Sequence, residues 1–243
     1  MDQTAIQFLI VIGMGIIVIL ISRALDILWA QAIGVRYFYY IIRAPGVVIH
    51  EISHIIACLI IGAKVKKVVF FSKEGGSVTY SKPGIPFIGD MVIGTAPVLI
   101  IPLVLAGCTW VFSEYLGCVF PPLPLGIYSF NDLVLLGTYI PAIFTQNLIA
   151  VFNPWFIVYL YITLTLVLSV APSMQDIENA ATGICIITLT GILILWSAIP
   201  VAVSILAEII RLIGIGFVLG LTFGIIALTV SVPVVIVYIH KKF

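Results

Sequence analysis

Pro45-Gly46-Val47-Val48-Ile49-His50-Glu51-Ile52-Ser53-His54-Ile55-Ile56 sets two histidines and a glutamate inside an otherwise apolar run. On a helix of about 100° per residue, positions four apart return to within about 40° of each other. Both imidazoles therefore leave one face, about 6 Å apart along the axis. That geometry suits two ligands of one tetrahedral Zn²⁺. Glu51 follows the first histidine, where its carboxylate can reach a metal-bound water as general base. The competing reading is a pair of satisfied core histidines with a snorkelling glutamate. It is disfavoured because ionisable groups inside a membrane helix are costly unless they have partners or a task. Cys58 continues the histidine stripe at i+4 and is a candidate third ligand, although a helical cysteine is more often a small buried apolar residue.

The surroundings of this stretch decide the solvent. Of 243 residues, 63% are hydrophobic and only 9% charged, with a mean hydropathy of +1.31. This composition excludes a soluble globular domain and points to an all-α polytopic membrane protein, a single integral membrane domain over 1–243. A net charge of +1 without a basic stripe argues against a nucleic-acid partner. Cys58, Cys108, Cys118 and Cys185 form no CxxC pair, so neither a disulfide framework nor a zinc knuckle is indicated.

About six transmembrane helices are expected. The first runs over about Ala5 to Ile21. Asp2 stands where a signal peptide has a basic region, so this span reads as an uncleaved helix. The second, about Tyr37 to Ile61, holds the His/Glu stretch, with Pro45-Gly46 either kinking it or serving as an early-turn proline. Val65 to Phe71 and Ser77 to Tyr80 flank Glu74-Gly75-Gly76 and read as a small membrane-associated β-hairpin, lying at the surface or folded back beside the metal helix. The third span, about Ile88 to Phe112, carries Gly94-Thr95-Ala96-Pro97, where small residues and a freed carbonyl let another element approach. Leu133 to Phe152 contains Pro141, Thr145, Gln146 and Asn147 and reads as an interfacial or re-entrant piece. Trp155 to Val170, Ile177 to Val201 and Ile213 to Tyr238 complete the six.

Six spans place both termini on one side. That side receives Lys64, Lys66, Lys67, Lys73, Lys82, Lys241 and Lys242, against Arg23, Arg36, Arg43 and Arg211 opposite. The bias makes the hairpin side and the termini cytoplasmic. Arg23, directly after the first span, argues locally for the reverse. The expected location is a prokaryotic cell membrane.

A catalytic zinc takes three protein ligands and keeps one position open. Besides Cys58, the acids in or beside the spans are Asp90, Asp176, Glu178 and Glu208. Asp176 closes a span running parallel to the histidine helix, so both deliver their C-terminal parts to one side. Ser173-Met174-Gln175-Asp176 also resembles a capping box for the next helix, and Asp90 at the start of the third span is the other carboxylate candidate.

An HExxH in the second of six spans, a basic hairpin after it, and an Asp after a proline turn closing the fourth resemble the site-2 protease family of intramembrane zinc metalloproteases. Gly62-Ala63-Lys64-Val65 leading to Gly75-Gly76-Ser77-Val78, and Gly94 with Pro97, are similar to that family's segments. The match covers about Arg43 to Gly183, a core of about 37–183 with peripheral helices at about 5–25 and 184–239. The aspartate stands in Ala171-Pro172-Ser173-Met174-Gln175-Asp176, an APSxxD form in place of the usual Asp-Gly pair, which marks a divergent branch. The resemblance implies His50, His54 and Asp176 as Zn²⁺ ligands and Glu51 as catalytic base. It further implies hydrolysis of peptide bonds in membrane-spanning protein substrates through a zinc-activated water. The alternatives from other classes are a non-proteolytic zinc-binding membrane scaffold and a transporter or channel subunit.

Overall fold

The computed structural model describes residues 3–33, 36–71, 76–122 and 130–242. It is an all-α polytopic membrane protein with one small antiparallel sheet. The helices are α1 (Gln3–Ala32), α2 (Arg36–Ile61), α3 (Ile88–Leu116), α4 (Phe130–Phe144), α5 (Pro154–Val167), α6 (Met174–Ser197) and α7 (Pro200–Lys242). Strands β1 (Val65–Val69) and β2 (Ser77–Tyr80) join α2 to α3.

Among the described residues, five helices are long and apolar enough to cross a membrane: Thr4–Ala32, Phe38–Ile61, Ile88–Leu116, Met174–Ser197 and Pro200–His240. The expected spans differ from these in detail. Trp155 to Val170 forms only the 14-residue α5, about 21 Å long against a hydrocarbon core of about 30 Å. Its start is set by Asn153, whose side chain accepts from the Trp155 N–H ahead of Pro154 at the first helical position. It ends in a tighter turn, the Ser169 and Val170 N–H groups donating to the Leu166 and Val167 carbonyls, and Pro172 keeps the helix from resuming. The expected span at Ile177 to Val201 stops at Ser197 because Ala198 turns into the left-handed region (φ 53°) before Pro200. The last expected span lies inside the 43-residue α7, about 65 Å long, twice the hydrocarbon thickness.

Leu133 to Phe152 falls in α4, which runs into a π-helical turn at Thr145–Ala150. The polar residues that weaken it as a span are occupied within the fold. Asn147 is 1% exposed. Its amide donates to the carbonyls of Val119 and Ile143 at 2.7 and 2.8 Å, and its oxygen accepts from the Val119 N–H at 2.8 Å. A buried amide so satisfied pins the extended chain after α3 to this turn.

The hairpin forms as expected. Glu74 and Gly75 of the expected turn, and Lys73, lie outside the described residues. Val65 pairs with Tyr80, Lys67 with Thr79, Val68 with Val78 and Val69 with Ser77, with an irregularity between Val65 and Lys67. That bulge reconciles the sequence Val-Lys-Lys-Val with a two-faced strand. Val65 and Val68 stay partly covered on the face shared with Val78 and Tyr80, while Lys66 and Lys67 are both exposed. Val65 and Tyr80 pack against Ala57, Cys58, Ala63, Ile93 and Ala96, which docks the sheet on α2 and α3.

α3 is the central post, packed against α2, α5, α6 and α7, while α1 lies along α7. Two close approaches define its meeting with α6. A Cβ at Gly94 would sit 2.6 Å from the Asp176 carbonyl oxygen, and one at Gly183 only 2.3 Å from the Phe87 carbonyl oxygen. Any larger residue would push the helices apart, as small-residue contacts between membrane helices require. α1 is tied to α7 by Trp29 Nε1–H donating to Ser231 Oγ at 2.8 Å.

Candidate metal centre

His50 and His54 project from one face of α2 and are 8% and 4% exposed. Their rings are oriented from behind. His50 Nδ1–H donates to the Ser169 carbonyl at 2.6 Å and His54 Nδ1–H to the Ile93 carbonyl at 2.7 Å. A carbonyl only accepts, so both Nδ1 atoms carry the proton, and in the neutral ring Nε2 is left with a free lone pair. The two Nε2 atoms stand 3.2 Å apart. Two lone pairs facing each other at that distance repel unless a cation lies between them.

The carbonyls that do this orienting are left free by a proline in one case and by a helix cap in the other. In α3 the Ile93 oxygen would accept from the residue four positions on, and that residue is Pro97, which has no N–H. The Ser169 oxygen lies beyond the end of α5, and the Ser173 N–H four positions on donates instead to Asp176 Oδ2 at 2.9 Å as part of the cap of α6. A further inter-helix bond starts beside a proline on α2. Next to Pro45, the Gly46 N–H donates to Thr165 Oγ1 of α5 at 3.0 Å. Pro97 thus hands the Ile93 carbonyl from the α3 ladder to the site.

Asp176 completes the group. Its Oδ1 lies 3.4 Å from His54 Nε2 and its Oδ2 3.7 Å from His50 Nε2. Bonds of about 2.0–2.1 Å to a tetrahedral ion separate neighbouring ligand atoms by about 3.3–3.4 Å, so the Nε2–Nε2 distance of 3.2 Å and the His54 Nε2–Asp176 Oδ1 distance of 3.4 Å fit two edges of a coordination tetrahedron. The capping reading of the sequence holds at the same time: Ser173 Oγ accepts from the Asp176 N–H, and Asp176 accepts from the Ser173 N–H. Cap and candidate ligand are one residue, because Oδ2 serves the cap while Oδ1 faces His54. Two imidazoles and a carboxylate form a donor set suited to a divalent ion, with one further position left to a four-coordinate metal.

Among the described residues His50, His54 and Asp176 are the only such group, with all their ligand atoms within 4.8 Å of one another. The other candidates have different surroundings. Cys58 is fully buried among Ala57, Ala63, Ile93 and Ala96. Asp90 accepts from the Tyr80 hydroxyl at 3.3 Å. Burial and the nearby Asp90 carboxylate push the Tyr80 phenol up to about 12, so it remains a donor at neutral pH. Glu208 is paired with Arg211 on the exposed side of α7.

Glu51 is 4% exposed and lines the same cavity, of about 730 Å³, as the three candidate ligands. The hairpin closes over it. A Cβ at Gly76 would lie 2.4 Å from Glu51 Oε1 and 2.6 Å from its Cγ, so a larger residue there would force the Glu51 side chain to shift. The sequence marked Gly76 only as part of a turn, and its role against Glu51 became visible with the tertiary contact. Ser22 was not singled out at all. It is fully buried on α1 and accepts from the Ala171 N–H at 2.8 Å, steadying the segment that carries Asp176. α1 also brings Asp26 to the cavity wall, where it pairs with Arg43 at 3.2 Å and accepts from the Tyr39 hydroxyl.

No family profile, curated protein or solved structure matches the chain, so the chemistry of this centre is argued from its own geometry.

Proposed function

We propose that this protein is an intramembrane zinc metallopeptidase, similar in its chemistry to the site-2 proteases, that hydrolyses peptide bonds of membrane-spanning protein substrates. The observation that carries the reading is the convergence of His50, His54 and Asp176 ligand atoms within 4.8 Å of one another, with Glu51 lining the same cavity. When bound, zinc would supply Lewis acidity, polarising the scissile carbonyl and lowering the pKa of water toward neutrality. Glu51 takes the proton from the attacking water and passes it to the nitrogen of the leaving amine as the C–N bond breaks. The backbone at Gly76 keeps one flank of Glu51 covered, which limits the carboxylate to a short swing between water and amine.

A helical peptide bond is shielded and its carbonyl is already hydrogen-bonded, so the substrate must unwind before hydrolysis. β2 lines the cavity over Ser77–Tyr80. In a two-stranded sheet it has one edge unpaired, which can hold an extended substrate segment by strand addition. The lysine-rich hairpin faces the cytoplasm in this reading.

The test uses purified protein and membranes. Wild type should bind one zinc, and membrane-spanning proteins should accumulate in cells carrying Glu51→Gln relative to wild type. The variant should keep its zinc and lose about 10²–10⁴ in rate on any substrate so identified. Undiminished cleavage by Glu51→Gln would remove the assigned base. Absence of bound divalent metal in wild type would remove the zinc chemistry.

A further inference from the structure

The two faces of the β-hairpin have different chemistry. The face carrying Val65, Val68, Val78 and Tyr80 is partly covered, with Val65 and Tyr80 packed against α2 and α3. Lys64, Lys66, Lys67 and Lys82 are all exposed, as are Ser77 and Thr79, with Ser77, Thr79 and Lys82 also at the cavity. The described residues 62–71 and 76–85 hold these four lysines and no acidic side chain. None of the four is in an ion pair among the described residues. The bulge at Val65/Lys67 matters here, since a regular strand would turn one of the adjacent lysines inward.

The position of this positive face limits what can cover it. The hairpin joins the end of α2 at Ile61 to the start of α3 at Ile88, both candidate membrane spans, so its base, with Lys64 and Lys82, is held near a bilayer surface while its tip reaches back to Glu51. Exposed Phe71 precedes the described part of the turn, and exposed Ile85 and Phe87 follow Lys82. Basic groups with aromatic and aliphatic side chains close by suit the boundary between headgroups and acyl chains better than a water-soluble anion. We propose that the outer face of this hairpin docks on anionic lipid headgroups of the adjoining leaflet, and that docking holds the hairpin against Glu51. The coupling is steric: Gly76, next to β2, lies in contact with the Glu51 carboxylate, so fixing the outer face fixes the cover over that side chain.

A lysine near an anionic leaflet contributes about fivefold to association, and the attraction falls off over about a Debye length, about 8 Å at physiological salt. The experiment is amide hydrogen exchange of the full-length protein in nanodiscs of phosphatidylcholine alone or with about 30 mol % phosphatidylglycerol. Anionic lipid should slow exchange in Val65–Val69 and Ser77–Tyr80 by about tenfold. Raising the salt should reverse that slowing, and the exchange of α2 and α3 should not change. Lys66→Gln/Lys67→Gln should lose most of the slowing, and Lys66→Arg/Lys67→Arg should retain it. Equal exchange in both lipids would overturn the proposal, as would full protection in the glutamine variant. The same slowing from inorganic phosphate in phosphatidylcholine discs would overturn the lipid source. The readout does not involve cleavage, so its failure is separate from failure of the peptidase reading.

Discussion

Replacing Pro97 by alanine should loosen the metal site while strengthening the helix that supports it. The proline removes the N–H that would otherwise occupy the Ile93 carbonyl, and His54 Nδ1–H takes that oxygen at 2.7 Å. Alanine restores the donor, draws the carbonyl back toward the helix axis and makes it share its lone pairs. Intrinsic propensity favours alanine over proline in a helix interior by up to about 3 kcal/mol, so α3 itself should not be harmed. Loss of an outer partner of a metal-ligating histidine costs about 10–100-fold in metal affinity. Because the carbonyl can still accept two donors, the expected loss is the lower figure, about tenfold or about 1.4 kcal/mol. The assay is competition of the apo-protein with a chelator of known zinc affinity, in detergent or nanodiscs, with helicity measured on the same samples. Pro102→Ala is the control. It lies in the same helix and frees the Val98 carbonyl, which no histidine side chain uses. Equal zinc affinity for wild type, Pro97→Ala and Pro102→Ala, with α3 intact, would refute the idea that proline placement orients His54.

Further substitutions separate roles at the centre. Asp176→Ala should lose metal strongly, whereas Asp90→Ala and Cys58→Ser should leave metal content near wild type; Asp176→Asn keeps an N3 side chain for the cap, costing at most about 1 kcal/mol in stability while still weakening metal binding, and full zinc occupancy in a folded Asp176→Ala protein would remove Asp176 from the ligand set. Gly76→Ala places a methyl 2.4 Å from Glu51 Oε1, so turnover should fall about tenfold or more with zinc content unchanged, since about 1 Å of misplacement near the chemistry is costly; unaltered kinetics would show that the hairpin backbone does not confine the base.

Much of this architecture follows from local pattern. Helical periodicity put His50 and His54 on one face whatever the fold, and length and hydropathy marked the spans. β-branched residues around a glycine turn marked the hairpin, and Pro97 marked a carbonyl left free in α3. Each of these depends on neighbours within a few residues, the range over which backbone sterics and hydrogen bonding act. The reading of Asp176 was different. Ser173-Met174-Gln175-Asp176 specifies a capping box by itself, and nothing local tells which carboxylate oxygen turns away from the cap. That was decided when α6 came to rest on α3 at Gly94 and Gly183, bringing Oδ1 to 3.4 Å from a histidine more than a hundred residues earlier. Ser22, Ser169 and Gly76 went unrecognised for the same reason. A buried hydroxyl, a main-chain carbonyl and a missing Cβ carry no pattern along the chain, and their part in the centre comes only from the elements packed against them.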